Sequence, residues 1–510
     1  MPSRRMLLAQ AASLAGAALT PAAWTAAAAQ TRLADDPFQL GVASGEPTPD
    51  GMVLWTRLAP KPQEMGSGMT PAPVAVRWEI AGDEGLKRIV AKGQALAVAE
   101  AGHSVHVEVQ GLRPGRDYWY RFTAGGHASP VGRTRTAPAP GAVVERLRIA
   151  YSSCQKYSAG FYSAHAGIAA EAPDLVLFLG DYIYEGAADG KGVRPHPVEE
   201  PVDLAGYRQR YAWYKADPDL QAAHAAAPWM VIWDDHEVAN DYGDDQDRSN
   251  PPPDVFLKRR AAAYQAFYEN MPLRRTQRPV GPSLLLYRSL AWGNLAGLQF
   301  LDTRQYRNHR TCEAVSDGKR IPADCPERFD PARSLLGAPQ ETWLQGQFRA
   351  SQARWNLLAQ QYLMGEFAGE GGKKVGNDGW DGYVQTRRRV MEGWRDAKVS
   401  NPVVLGGDIH CFFAGDLAMA PGGKALASEF VGGSISSLGR PNIDIVQRLG
   451  WNPHLKFGDG ETRGYGRLDI TPKACTVTFR GVENALVSRS PMRDLARFVV
   501  EDGEAGLKRA

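Results

Sequence analysis

Five strand-like runs, each stopping at ligand-type side chains, constrain this chain more than any other feature. Residues 175–179 are consecutive apolar side chains between Pro173 and Gly180. A run that short, flanked by breakers, reads as a strand buried on both faces. It ends in Gly180-Asp181, with Tyr184 three residues on. Residues 146–151 end in Ser152-Ser153-Cys154-Gln155, and 229–233 end in Asp234-Asp235-His236-Glu237, with Asn240 just beyond. Residues 295–301 end in Asp302-Thr303-Arg304, and 401–405 end in Gly406-Gly407-Asp408-Ile409-His410. Helical patterns fall between them at 164–170, at 205–226 with a break near Asp217-Pro218, at 255–270 and at 340–364. The alternation predicts an α/β fold with layered α/β/β/α sheet packing and a cleft at the strand carboxyl ends. Scattered Asp, His and Cys would not keep choosing those ends, so one shared site is expected.

Each candidate also has a plain structural role. Cys154 can be a buried thiol, and Asp234 and Asp235 can cap a helix. Asp408 and His410 can form a turn, and Arg304 can pair with Asp302 instead of clamping a phosphate. Taken together, the residue types select metals. Cys154, Asp181, Tyr184 and His410 make a mixed sulfur, oxygen and nitrogen set that suits Fe3+ better than a hard divalent ion. Asp181, Asn240 and Asp408 offer oxygen alone, which suits a hard divalent ion. Asp181 can serve both. Two cations about 3.5–4 Å apart polarise a phosphoryl oxygen and lower the pKa of a bridging water. Acyl transfer matches poorly, because no Gly-x-Ser-x-Gly elbow is present. No Walker loop is present either, which argues against nucleotide-driven phosphoryl transfer.

The amino terminus reads as an address. Ser3-Arg4-Arg5-Met6 is a twin-arginine signature, and an Ala-rich stretch follows to a cleavage pattern at Ala27-x-Ala29. Residues 1–29 are therefore expected to be a signal peptide read by the twin-arginine export machinery, giving a periplasmic or secreted protein. The mature chain has no run apolar and long enough for a transmembrane segment. A net charge of +3 on 510 residues, without a basic block, indicates no nucleic-acid-binding surface. Cys312 and Cys325 flank a polar loop and are the expected disulfide of an oxidising compartment.

Residues 37–137 carry short alternating runs punctuated by turn residues, as in a β-sandwich. Leu112-x-Pro114-Gly115-x-x-Tyr118-x-Tyr120 resembles the fibronectin type III corner, in which a Tyr bonds back to the chain. No nucleophile or metal cluster occurs there, so a structural role is expected, with carbohydrate or wall binding as the alternative. A Pro-rich linker leads to a catalytic domain over 144–484.

The sequence resembles the alkaline phosphatase D (PhoD-like) family of metallophosphatases over nearly the whole mature chain. The resemblance is carried by Ser153-Cys154-Gln155, Gly180-Asp181-x-x-Tyr184-Glu185, Trp233-Asp234-Asp235-His236-Glu237-x-x-x-Asn240, Leu301-Asp302-Thr303-Arg304-x-Tyr306-Arg307, Gly406-Gly407-Asp408-x-His410 and Glu429-Phe430-Val431-Gly432-x-Ser434-Ile435-Ser436-Ser437. It implies a calcineurin-like phosphoesterase sheet sandwich preceded by a fibronectin-III-like β-sandwich, acting on phosphate-ester substrates. It implies Fe3+ on Cys154, Asp181, Tyr184 and His410, and Ca2+ facing Asp181, Asn240 and Asp408. By analogy His236 is the leaving-group acid, and Asp235 is a ligand or a partner of one. Family members also use a C-terminal helix to restrict the site. A helix over 491–507, within a tail at 488–510, is the expected lid here. The alternatives are a dedicated phosphodiesterase on wall polymers or phospholipid headgroups, and a non-catalytic periplasmic phosphate- or wall-binding protein.

Overall fold

The computed structural model describes residues 32–187, 190, 192–196, 199–318 and 320–510. The leader expected over 1–29 lies outside them.

The five runs form strands, and they divide between two sheets. Leu147–Ser152, Leu175–Phe178 and Pro228–Val231 are parallel neighbours in a ten-stranded sheet. Ala296–Phe300 and Pro402–Gly406 lie in a seven-stranded sheet, with Trp355–Ala359 between them and Ala425–Gly432 beyond, all parallel. The inner faces share one core that includes Ile149, Leu177, Leu298, Leu357, Leu405 and Phe430. Side chains one position along, Leu358 and Val404, face the opposite way. There they pack with Leu344 and Phe348 of helix Ala338–Ala350 and Val390 and Trp394 of helix Val384–Asp396. This period of two explains the continuous apolar runs: both faces are covered.

The break expected near Asp217-Pro218 separates two helices, Leu204–Lys215 and Pro218–Ala226. The Asp217 carboxylate accepts the backbone N–H groups of Asp219 and Leu220 at 2.9 and 3.2 Å, capping the second helix.

Three strands of the amino-terminal segment join the large sheet. Val42–Thr48 pairs in parallel with Pro228–Val231, and Gly51–Arg57 and Ser104–Val109 follow antiparallel. A five-stranded sheet containing Val74–Ala81 and Asp117–Ala124 packs on them around Val76, Ile80, Val107, Tyr120 and Phe122. The two sheets enclose a core, and one of them continues into the sheet that carries the site. Pairing with Val42–Thr48 also covers what would otherwise be an exposed parallel edge. The Tyr118 hydroxyl accepts the Arg113 N–H at 2.9 Å, as the corner motif anticipates.

Two helices read from the pattern are corrected. The region 340–364 is helical only to Ala350; Trp355–Ala359 is a buried parallel strand. The tail is not a helix: Met492–Glu501 is a strand paired along Ala474–Val482. Ala496, Phe498 and Val500 point into the core at alternate positions, a spacing that an isolated helical reading blurs.

Cys312 and Cys325 are disulfide-bonded with Cα atoms 6.5 Å apart, while Cys154, Cys411 and Cys475 are free and buried. Among the described residues no helix is long and apolar enough to cross a membrane.

Candidate metal centre

The carboxyl ends of the two parallel strand sets meet at a cleft of about 510 Å³. Asp181, Asp235, His236, Asn240, Asp408 and His410 line it. Cys154 and Tyr184 are buried beside them. Four of these residues have left-handed backbone: Cys154 at φ 59°, Asp181 at 58°, Asp408 at 61° and His410 at 55°. Non-glycine residues in that region cost about 1–3 kcal/mol each, so surrounding structure must hold them there. Two glycines allow the strand ends to converge. A Cβ on Gly180, at φ +112°, would lie 2.5 Å from Asp234 Cβ, and one on Gly407 would lie 2.3 Å from Ser153 Oγ.

The ligand atoms of Cys154, Asp181 and His410 all lie within 4.8 Å of one another. Asp181, Asp235 and His236 make a second such group, and Asp234, Asp235 and Asp408 a third. The Tyr184 hydroxyl lies 2.7 Å from Asp181 Oδ2 and 3.0 Å from His410 Nε2, and the Ser437 hydroxyl donates to it at 2.9 Å. His410 Nδ1 donates to the Leu438 carbonyl at 2.9 Å, so its Nε2 lone pair faces the cluster. One phenol proton therefore faces two acceptors. Asp181 Oδ1 is buried without a hydrogen-bond partner among the described residues.

The electrostatics agree. Burial, with the Asp181 and Asp408 charges adding to it, pushes the Cys154 thiol well above its ordinary range. Burial and the charges of Asp181 and Cys154 do the same to Tyr184, and burial raises Asp181. Burial and the Asp235 charge lift Asp408 to about 7. Protein charge alone does not let these groups ionise together. Bound cations invert that balance, and the donor set fits them.

His236 is arranged differently. Its Nδ1 lies 2.6 Å from Glu185 Oε2, and its ring stacks on Tyr184 with centroids 4.1 Å apart. Burial alone would strip its proton. The charges of Glu185, Asp235 and Asp181 outweigh burial and raise its pKa well above the ordinary value. Asn240 lines the cleft, and its backbone N–H donates to Glu185 Oε1 at 2.6 Å.

Arg304 does not face the cleft. It is fully buried, with Nε on Asp234, Nη1 2.8 Å from Asp378 and Nη2 3.2 Å from Asp235. Its position is that of a brace behind the acidic cluster, so neither a phosphate clamp nor an Asp302 ion pair describes it. Three residues given no role from the sequence share the bracing. Glu185 orients His236. Glu237 accepts the backbone N–H groups of Asp181, Tyr182 and Asp234 at 3.1, 2.5 and 2.8 Å. Asp378 pairs with both Arg304 and Arg307. Glu185 and Glu237 stand inside the strand-end motifs. Asp378 follows the short strand Lys374–Gly376, and only its turn-rich setting, Gly376-Asn377-Asp378-Gly379, marked it.

Fold and site together define an α/β sandwich enzyme whose strand ends converge on clustered candidate metal ligands. The chain belongs to the PhoD-like phosphatase family: the family model matches residues 149–479, and the model of its N-terminal domain matches residues 23–138. It is 43% identical over 486 residues to alkaline phosphatase D of Bacillus subtilis (strain 168), covering 93% of this chain and 82% of that protein. The solved structure of PhoD superposes with a TM-score of 0.88 at 41% identity, covering 94% of this chain and 93% of that one. The protein is accordingly an enzyme, a phosphoric ester hydrolase, and the non-catalytic binding reading is set aside.

Proposed function

We propose that this is an exported phosphoesterase of the alkaline phosphatase D type, hydrolysing phosphomonoesters and phosphodiesters at an Fe3+ and Ca2+ centre. The observation that carries the reading is the buried, partnerless Asp181 Oδ1 beside Cys154, Tyr184 and His410. Cys154, Asp181, Tyr184 and His410 would hold the iron, and Asp181, Asn240 and Asp408 would face calcium. The metals supply an activated water and charge neutralisation for the phosphoryl oxygens. Asp235 borders both acidic groups and is the remaining carboxylate at their junction. His236 keeps Nδ1 on Glu185, which leaves Nε2 to carry a proton towards the leaving oxygen. Arg304 acts behind the site by fixing Asp234 and Asp235.

The amino-terminal twin-arginine pattern and the Cys312–Cys325 disulfide support export through the twin-arginine machinery to the periplasm or the exterior. The Tyr118 corner supports a fibronectin-III-like amino-terminal sandwich with a structural role.

The test is release of nitrophenol from a nitrophenyl monoester and the matching bis-nitrophenyl diester, by metal-loaded protein before and after chelation. Turnover that disappears on chelation and returns with calcium is the expected result. Chelator-resistant turnover that also survives Cys154→Ala, Asp181→Ala and His410→Ala would remove this centre. The diester-to-monoester ratio ranks the two ester classes and decides for or against a dedicated diesterase.

A further inference from the structure

One wall of the cleft carries arginines that the chemistry above leaves unused. Arg320, Arg440 and Arg448 line the cleft together with the candidate metal ligands. Arg448 is only 6% exposed, yet its guanidinium makes no hydrogen bond or ion pair among the described residues. Its guanidinium carbon lies 4.6 Å from the centre of the Phe367 ring. A Cβ built on Gly369 would lie 3.3 Å from Arg320 Nη1 and 3.4 Å from Arg448 Nη1. Both guanidiniums therefore border one small volume. The Arg320 guanidinium reaches the exposed Glu370 at 3.4 Å, and the Arg320 backbone N–H donates to the Asp317 carboxylate at 3.0 Å. Arg440 is exposed and has no carboxylate partner among the described residues.

The wall is joined to the centre by a short piece of backbone. His410 Nδ1 bonds the Leu438 carbonyl, and a Cβ on Gly439 would lie 2.3 Å from the His410 carbonyl oxygen. Arg440 is the next residue. The cleft is thus acidic at the metal-ligand end and basic along this wall. Burial, reinforced by the charges of Arg440 and Arg320, lowers Arg448 to about 10. A buried cation with like-charged neighbours, opposed by the Asp444 charge but in no ion pair with it among the described residues, is a costly arrangement. An oxyanion in the cleft would satisfy it, and the guanidinium fork matches phosphate and carboxylate geometry.

We propose that Arg320, Arg440 and Arg448 form a second anion subsite, and that preferred substrates are phosphate esters carrying a further phosphate or carboxylate away from the scissile ester. This rests on the phosphoesterase reading and names its substrate class. A neutral substituent leaves the arginines to water; an anionic one gains charge-assisted hydrogen bonds on entering the cleft.

The experiment uses the metal-loaded enzyme with three matched alkyl phosphates: an uncharged-end monophosphate, its ω-carboxylate and its α,ω-bisphosphate. Phosphate release gives kcat/KM for each. The wild type should favour the anionic-end substrates about tenfold or more, mainly through KM, since hydrogen bonds to charged groups have that size. The double variant Arg320→Gln/Arg448→Gln should bring the ratio to about one. The two anionic arms show whether phosphate or carboxylate is preferred. Equal kcat/KM for all three in the wild type, or an undiminished ratio in the double variant, overturns the subsite. Titration with a non-hydrolysable α,ω-bisphosphonate reads the subsite without turnover: weaker binding to the double variant supports it, and unchanged binding overturns it. Absence of hydrolysis of every substrate would sink the phosphoesterase reading, while the bisphosphonate titration still decides the subsite.

Discussion

Glu237 holds Asp181 by its backbone: one carboxylate oxygen accepts the Asp181 N–H at 3.1 Å, and the same atom accepts the Asp234 N–H at 2.8 Å. Two strand ends of one sheet are thereby tied to a single buried acceptor. Asp181 sits at φ 58°, a conformation that needs such support.

Glu237→Gln is the corresponding variant. The amide keeps one acceptor oxygen but turns an NH2 group towards backbone donors. Losing satisfied buried bonds of this kind costs about 1–3 kcal/mol. Urea unfolding should register that loss, and metal content should fall with it. Unchanged stability together with wild-type metal loading would show that the tie does not position Asp181.

Arg304 predicts a failure that charge alone does not repair. Its fork spans Asp234, Asp235 and Asp378 in a fully buried site. Arg304→Met leaves the buried Asp234 and Asp235 without this counter-charge, while Asp378 keeps Arg307, and should destabilise by about 3–5 kcal/mol. Arg304→Lys restores the charge but not three directed donors, so turnover should stay low even though part of the stability returns. A lysine variant with full turnover would reduce Arg304 to a point charge.

Much of this site was readable from the sequence because a parallel strand is apolar on both faces and stops abruptly. The polar residue after each run was therefore visible, from Cys154 to His410. What the pattern did not give was which side of the strand end each residue serves. Arg304 follows its strand just as Asp181 does, yet it turns into the protein because the clustered Asp234, Asp235 and Asp378 draw its charge inward. The strand at 355–359 was hidden because it continues the apolar pattern of helix Ala338–Ala350, and periodicity alone does not separate the two. The amino-terminal strands were legible as short alternating runs. Their pairing with Pro228–Val231 was not, since partner choice across such a sequence separation leaves no local trace.

Glu429 predicts a pH dependence of stability away from the ligands. Burial pushes its carboxyl from an ordinary 4.5 up to about 7, despite the backbone N–H groups of Met364 and Gly365 that it accepts. The folded chain keeps a proton that the unfolded chain has released. The stability tied to that proton is fully present below pH 4.5 and is lost as pH rises through 7. The full loss is on the order of 3 kcal/mol. Glu429→Gln cannot titrate. The wild type should therefore lose stability relative to the variant across this window, measured by urea unfolding at each pH. A difference that does not move with pH would return the carboxyl to its ordinary value.

The tail supplies the sharpest reversal of expectation. Met492–Glu501 pairs along the length of Ala474–Val482, and Lys508–Arg509 closes on it in turn. Ala496, Phe498, Val500 and Leu507 are buried, and none of them lines the cleft. Removing residues 488–510 would strip the apolar cover from Phe479 and Phe457, both of which pack against Phe498. Burying a large apolar side chain contributes about 1.5–3 kcal/mol, so losing several should cost 5 kcal/mol or more, roughly the whole stability of a modest domain. It would also bare the edge of Ala474–Val482 to intermolecular pairing. The truncated chain should therefore be recovered mainly as aggregate, with a much lower Tm in any soluble fraction. A lid would behave oppositely: truncation would leave Tm unchanged and raise turnover. Measuring both on the same preparation separates a strand that completes the sheet from a gate over the site.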